Sequence, residues 1–171
     1  MKRQFKVKRG DVFCSAFPGA RLGWLIKVVE TIRAKDWHAA YSHAGIIIHK
    51  DGETVESLWK VKSQNIYEAY KGCTVLIARY NALTQGKYYI GLRMLNKNIG
   101  KRYPIFRLPL HLLGLGRFIH WKKMVCSELV AKFLHCVGAR HRHYFGVNPD
   151  DLADEFKNWK IYEVVFEGII E

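Results

Sequence analysis

The chain has 171 residues, 49% of them hydrophobic and 25% charged, with a formal net charge of +13. This apolar fraction excludes a disordered chain, and 14 glycines exclude a coiled coil. No apolar run reaches the roughly 18–20 residues that a membrane span needs. The length suits one compact domain, which we expect to cover residues 1–171.

The predicted elements begin with an amphipathic helix over residues 20–34, where apolar residues recur at helical spacing. A β-branched run at 42–48 and a second run at 54–59 follow, separated by the Asp-Gly pair at 51–52. Asp-Gly between two such runs predicts a β-hairpin. A third strand is predicted over Thr74–Tyr80.

The second half of the chain is predicted to be mainly helical. A stripe from Tyr88 to Ile99 predicts a helix closed by Gly100, and a second stripe predicts a helix over 125–137 that ends at Gly138. Asn148, with proline and two acids after it, is typical of a helix start.

The chain ends with alternating residues at 162–167 that predict a strand. The apolar segment 104–121 is interpreted as a packed loop, with a membrane-touching flap as the alternative. This order of elements predicts an α+β fold, in which an antiparallel sheet packs against helices.

The high positive charge favours contact with polyanions such as an acidic polymer or an anionic lipid surface. Because the basic residues are scattered and no nucleic-acid-binding motif is found, no specific nucleic-acid partner is predicted. The basic start lacks an apolar region behind it, which predicts no secretory signal and a cytoplasmic protein. A released or virus-associated protein is the alternative.

Four cysteines, Cys14, Cys73, Cys126 and Cys136, stand far apart in the sequence. No Cys-x-x-Cys pair is present, so neither a zinc site nor any other metal or cofactor is predicted. We expect reduced thiols, each of which is either a small buried hydrophobe or a reactive group.

Cys126 is the candidate nucleophile among them. It stands at the start of a predicted helix, where unpaired amides and the helix dipole stabilise a thiolate. The alternative is simple burial, because its helical spacing from Leu129, Val130 and Phe133 turns it toward the core. The other three cysteines are interpreted as packing residues.

His43 is the candidate base, since Ala44 and Gly45 beside it leave room for another chain or a substrate. A purely structural histidine is the alternative. A third residue should orient the imidazole, and Glu56 is predicted to share a face with His43. A tight Asp-Gly turn pairs Ile47 with Glu56 and leaves a gap of roughly 13 Å to His43, so Glu68 is the alternative acid.

These residues also carry a resemblance to a known family. Ser42-His43-Ala44-Gly45, Val55-Glu56, Gly100-Lys101-Arg102-Tyr103, Cys126-Ser127-Glu128 and Asn148-Pro149-Asp150 resemble, in this order, motifs of the permuted papain-like amidases of the YiiX type. That family is related to the NlpC-type cell-wall peptidases and to the lecithin:retinol acyltransferases. The histidine precedes the cysteine here, as circular permutation requires.

The resemblance implies a circularly permuted papain-like fold and a cysteine hydrolase of amide substrates such as cell-wall peptides. It implies Cys126 as nucleophile, His43 as base and Glu56 as the acidic third residue. Tyr103 and Ser127 are implied as substrate or oxyanion contacts.

Two other functions remain open at this level. The same residues could transfer or cleave a lipid acyl group at a membrane surface, with segment 104–121 contacting anionic lipid. Alternatively, the chain could be a non-catalytic basic binding module in which Cys126 is buried.

Overall fold

The computed structural model describes residues 5–16, 40–57, 60–101 and 125–171. The helix expected over 20–34, the candidate contact Tyr103 and the apolar segment 104–121 lie outside the described residues.

The described residues form six strands and four helices. The strands are β1 (Val12–Ser15), β2 (His43–Ile47), β3 (Glu53–Ser57), β4 (Val61–Asn65), β5 (Thr74–Tyr80) and β6 (Tyr162–Ile169). The helices are α1 (Ile66–Ala69), α2 (Gln85–Asn96), α3 (Cys126–Cys136) and α4 (Pro149–Asn158).

All six strands belong to one antiparallel sheet in the order β4-β3-β2-β1-β5-β6. The expectation of an α+β fold with an antiparallel sheet against helices is confirmed. β2 lies inside the sheet between β1 and β3, so the segment that carries His43 is held by a strand on each side.

The sheet is covered on both faces. Side chains along a strand alternate between these faces, so each strand contributes residues to two separate cores. On one face, Ile46 and Val55 belong to a core built with the apolar sides of α2, α3 and α4. On the other, Phe13 and Ile47 pack with the N-terminal segment and with Tyr70, which follows α1. Buried strands of this kind give the candidate site a rigid support.

The predicted ends of the later helices are largely confirmed. α3 ends before Gly138, which has a φ of +77°, and α4 begins after Asn148, whose side chain accepts a hydrogen bond from Asp151 N at 2.6 Å. The predicted extension of α2 to Ile99 is wrong. The helix ends at Asn96, because the following turn directs Gly100 N to the Val61 carbonyl of β4 at 2.9 Å.

The predicted hairpin between β2 and β3 exists, but its predicted register is wrong. Ile48 N donates to Glu53 O at 2.7 Å, and Gly52 N donates to His49 O at 3.1 Å. The loop therefore has four residues rather than two, and Glu56 lies opposite Gly45 instead of Ile47.

Strands β1 and β4 and the short helix α1 were not predicted as elements. β4 is mostly polar and exposed along its length, so it lacks the apolar alternation that identifies a strand in sequence. Within the described ranges, every helix is too short or too polar to cross a membrane.

Candidate active site

Cys126 is the first residue of α3, as expected, and the start of that helix is fixed by a buried carboxylate. Val125 N donates to Glu128 Oε2 at 3.3 Å, and Gly146 N donates to Glu128 Oε1 at 3.0 Å. α3 packs against β2 and β3. The thiol is thus placed at the positive end of a helix that rests on the strands of His43 and Glu56.

His43 and Glu56 meet directly across the sheet. Glu56 lies opposite Gly45, two residues from His43, so the two side chains share a face. His43 Nε2 lies 2.9 Å from Glu56 Oε2, and both side chains are buried. The corrected register removes the gap of roughly 13 Å that a two-residue turn would leave.

Gly45 makes this contact possible because it has no side chain. A Cβ built at position 45 would lie 2.5 Å from Phe13 Cε1 and 2.7 Å from Glu56 Cγ. The glycine therefore opens the space through which the Glu56 side chain extends along the sheet toward His43.

The Glu56 carboxylate accepts hydrogen bonds from four side chains. His43 and Gln64 each approach Oε2 at 2.9 Å, and the Tyr70 hydroxyl donates to the same oxygen. The Thr54 hydroxyl donates to Oε1. A fully buried carboxylate with this many donors is held in one orientation and remains charged.

The Cys126 thiol adjoins the His43 imidazole closely enough for each group to shift the pKa of the other. Because Nε2 faces Glu56, Nδ1 is the ring nitrogen that remains for the sulfur. The backbone N–H groups of Ala44 and Ser127 also donate to the sulfur. Ala44 follows His43 directly on β2, so one strand provides both the imidazole and an amide next to the thiol.

The charges of the three groups support one another. Burial raises the pKa of the Cys126 thiol, but the adjacent imidazolium outweighs burial and the pKa is lowered. Burial lowers the pKa of His43, but the thiolate and then Glu56 outweigh it and the pKa is raised. Burial also opposes the charge of Glu56, yet hydrogen bonds from His43, Thr54 and Tyr70 lower its pKa. The site therefore favours a thiolate–imidazolium pair beside a carboxylate.

Two aromatic rings hold the imidazole in place. Tyr70 is stacked on His43 with ring centroids 6.1 Å apart and an interplanar angle of 14°. Phe13 contacts His43 edge-on, with centroids 6.4 Å apart. The orientation of the base is thus set by packing as well as by Glu56.

The structure brings together three of the residues proposed from sequence, namely Cys126, His43 and Glu56. Glu68, the alternative acid, is exposed on α1 and makes none of the contacts of Glu56. The Ser127 hydroxyl is buried and donates to Val147 O at 2.6 Å, so only its backbone amide faces the thiol.

Sequence reasoning missed the polar residues around Glu56. Thr54 is two residues from Glu56 on the same strand, so their side chains share a face. The alternation of β3 could therefore have identified Thr54 as a neighbour of Glu56. Gln64 lies opposite Thr54 on β4, a strand that was not predicted. Tyr70 reaches the site from beyond α1, and no local pattern identifies it.

No protein-family model matches the chain, and no curated protein was found to be similar to it. In the described residues, no group of three or more histidine, cysteine and acidic side chains could hold a metal ion.

Proposed function

We propose that this protein is a cysteine-dependent amide hydrolase, with Cys126 as nucleophile, His43 as general base and acid, and Glu56 as the residue that positions His43. The single observation that carries the proposal is a buried imidazole that is hydrogen-bonded to a carboxylate through Nε2 and adjoins, on its other side, a thiol at the start of a helix. A buried cysteine with a merely structural role needs neither partner.

The reaction proceeds in two steps. The Cys126 thiolate attacks the amide carbonyl carbon, so that a C–S bond forms and the carbonyl π electrons move to oxygen. As the tetrahedral intermediate collapses, the C–N bond breaks and His43 gives its proton to the leaving amine. Water then attacks the thioester, His43 takes the proton of the water, and the C–S bond breaks to release the acid and restore the thiolate.

The start of α3 supplies groups that can stabilise the oxyanion. The first amides of a helix have no intrahelical acceptor and lie at the positive end of the dipole. The backbone amide of Cys126 belongs to this first turn and adjoins the sulfur, whereas the amide of Ser127 donates to the thiolate itself. Preorganised donors of this kind lower the barrier because they are oriented before charge develops.

The substrate class follows from the sequence resemblance. A permuted papain-like fold, with the histidine strand before the cysteine helix, agrees with the order of β2 and α3 along the chain. We therefore propose peptides of the cell wall, or related amides, as the substrate. The same thiolate chemistry would also cleave an ester, and a panel of amide and ester substrates separates the two.

The proposal is tested by alkylation of the four free cysteines. Burial raises the pKa of Cys73 and of Cys136, whereas the pKa of Cys126 is lowered. Mild iodoacetamide treatment between pH 5 and 8, followed by peptide mass spectrometry, should therefore modify Cys126 first, with a rate that persists at the acid end of this range. Cys73 and Cys136 serve as internal controls.

The partner of the thiol is tested by His43→Ala. This change removes the imidazolium, so the acid-range labelling of Cys126 should fall to the rate of the control cysteines. Cys126→Ala should abolish turnover while the protein stays folded, as judged by a cooperative thermal melt. Equal, slow labelling of all four cysteines would contradict a catalytic Cys126 and would favour the non-catalytic binding module.

A further inference from the structure

A second site is suggested by a cavity of about 520 Å³ at the hairpin end of β2. Its volume is typical of sites for small ligands. The cavity is formed by the turn before β1, the β2–β3 loop and the start of α2. Its lining residues are Lys8, Arg9, His49, Lys50, Leu83, Thr84, Gln85 and Tyr88. His43 stands at the opposite end of β2, so the cavity is separate from the candidate active site.

The floor of the cavity is rigid. Tyr88 is buried, and its hydroxyl donates to Ile48 O at 2.8 Å, which ties α2 to the hairpin. Gly10 has a φ of +87°, and a Cβ there would lie 2.2 Å from Leu83 Cδ2. The three segments therefore approach so closely that the cavity is formed without a ligand.

The charges around the cavity are positive. Lys8, Arg9 and Lys50 contribute cations, and no carboxylate is among the lining residues. The nearest acid on the first turn, Asp11, is buried and paired with Arg79 at 2.9 Å. Asp51 in the hairpin loop is paired with His49 at 2.9 Å. Glu53 is close enough to act electrostatically on Tyr88 but is not a lining residue. The lining itself therefore carries three cations and no carboxylate.

Two further features favour an oxygen-rich anion. The first turn of α2 carries no acidic side chain, so the positive end of its dipole is not compensated there. The Arg9 guanidinium lies 5.7 Å from the centre of the Tyr88 ring, which holds a planar, bidentate donor at the wall. Bidentate Arg with two Lys suits the oxygens of a phosphate group.

We propose that this cavity binds a phosphate-ester group, carried either by a soluble molecule or by a lipid headgroup. The cations of the two turns hold the phosphate oxygens, and Leu83 and Tyr88 contact the apolar part of the ligand. Such a site would attach the protein to an anionic ligand or surface. The Cys126 thiol, in a separate part of the protein, would remain available for its own reaction.

The test compares two variants that lose the same charge. Lys8→Gln/Lys50→Gln removes two cations from the cavity, and Lys62→Gln/Lys160→Gln removes two exposed cations elsewhere. Calorimetry with inorganic pyrophosphate and co-sedimentation with phosphatidylglycerol vesicles measure the two possible sources. We expect at least about a tenfold loss of affinity in the cavity variant, because charge-assisted hydrogen bonds are lost. The control should change by less than about twofold, since exposed distant charges are screened.

The outcomes are distinct. Pyrophosphate binding that depends on Lys8 and Lys50 supports a soluble phosphate ester, and vesicle binding with the same dependence supports a lipid headgroup. Equal losses in both variants would show attraction by net charge alone and would overturn the proposal. Absence of saturable binding to either probe would also overturn it. Neither measurement requires turnover, so the result is independent of the proposed hydrolase.

Discussion

At the scale of single residues, the imidazole of His43 is the centre of the proposed catalytic site because it has two different partners. Its Nε2 contacts Glu56 at 2.9 Å, and its other side faces the Cys126 thiol. A carboxylate that holds a catalytic imidazole fixes its tautomer and stabilises the imidazolium. The roles of the three residues are therefore unequal, and substitutions should separate them.

Glu56→Gln should reduce turnover less than His43→Ala does. In serine protease triads, the amide replacement of the acid costs about 10⁴-fold in kcat, whereas loss of the nucleophile or base costs about 10⁶-fold. The comparison is made on whichever amide substrate the native protein cleaves, with kcat measured for each variant. A larger loss in Glu56→Gln than in His43→Ala would show that the roles are assigned wrongly.

Glu56→Gln should also change how stability depends on pH. Because the pKa of Glu56 is lowered from 4.5 in the folded protein, the unfolded chain takes up the proton first as the pH falls. Its contribution to the free energy of unfolding is present above about pH 4.5 and is lost below it, as the pH falls through the folded pKa. The variant should be less stable at pH 7 by about 3 kcal/mol, with a flatter stability curve between pH 5 and 3.

Urea denaturation at a series of pH values measures this change. Tyr70→Phe is the matched control, because it removes one donor to Glu56 and keeps the charge and the ring stacked on His43. That control should keep the acid-side loss of stability. Parallel curves for the native protein and Glu56→Gln would rule out Glu56 as a charged group in the folded state.

At the scale of elements, the site depends on the register between β2 and β3, which Gly45 allows. Gly45→Ala would place a methyl group 2.5 Å from Phe13 and 2.7 Å from Glu56. We expect a loss of about 1–3 kcal/mol in the free energy of unfolding from overpacking. The displaced Glu56 should also slow the labelling of Cys126 in the acid range.

Gly86→Ala is the control for this glycine. Gly86 lies in the first turn of α2, where a new Cβ would have nothing within 4 Å, so alanine should stabilise the helix by up to about 1 kcal/mol. Urea denaturation and Cys126 labelling at pH 6 are measured for both variants. If Gly45→Ala behaved like Gly86→Ala in both measurements, the close packing at Gly45 would be refuted.

The same hairpin shows how far the sequence determines the site. Alternation placed His43 and Glu56 on one face, because that property depends only on the parity of the register. The offset along the strands depended on loop length, which Asp51-Gly52 does not determine: Asp51 instead accepts a hydrogen bond from Glu53 N at 3.1 Å inside a longer loop. Moving Glu56 from opposite Ile47 to opposite Gly45 shifts the register by two residues. Such a shift keeps Glu56 on the same face as His43 and shortens the distance between their side chains.

Other parts of the site could not be found from local sequence at all. The donors Gln64 and Tyr70 reach Glu56 through the pairing of β4 and the position of α1. These contacts depend on tertiary structure. Neither β4 nor α1 has the regular spacing of apolar residues by which a strand or helix is recognised in sequence. By contrast, the cap at Asn148 and the stop at Gly138 were predictable, because both act within one turn of the helix.

At the scale of the whole molecule, the net charge of +13 opposes the compact state through self-repulsion. Among the described residues, Arg79–Asp11 and Arg140–Glu155 are largely buried ion pairs. Buried pairs are screened less by salt than exposed charges are. Salt should therefore reduce the repulsion more than it reduces these attractions.

We accordingly expect Tm to rise when sodium chloride is increased from about 0.01 M to about 0.2 M, over which the Debye length falls from about 30 Å to below 10 Å. Differential scanning calorimetry in a chloride buffer measures this without adding phosphate to the cavity at Lys8 and Lys50. Lys62→Gln/Lys160→Gln, which lowers the repulsion, should show a smaller rise. A Tm that falls with salt would mean that exposed pairs such as Lys157–Glu167 outweigh the excess positive charge, because screening would then remove more attraction than repulsion.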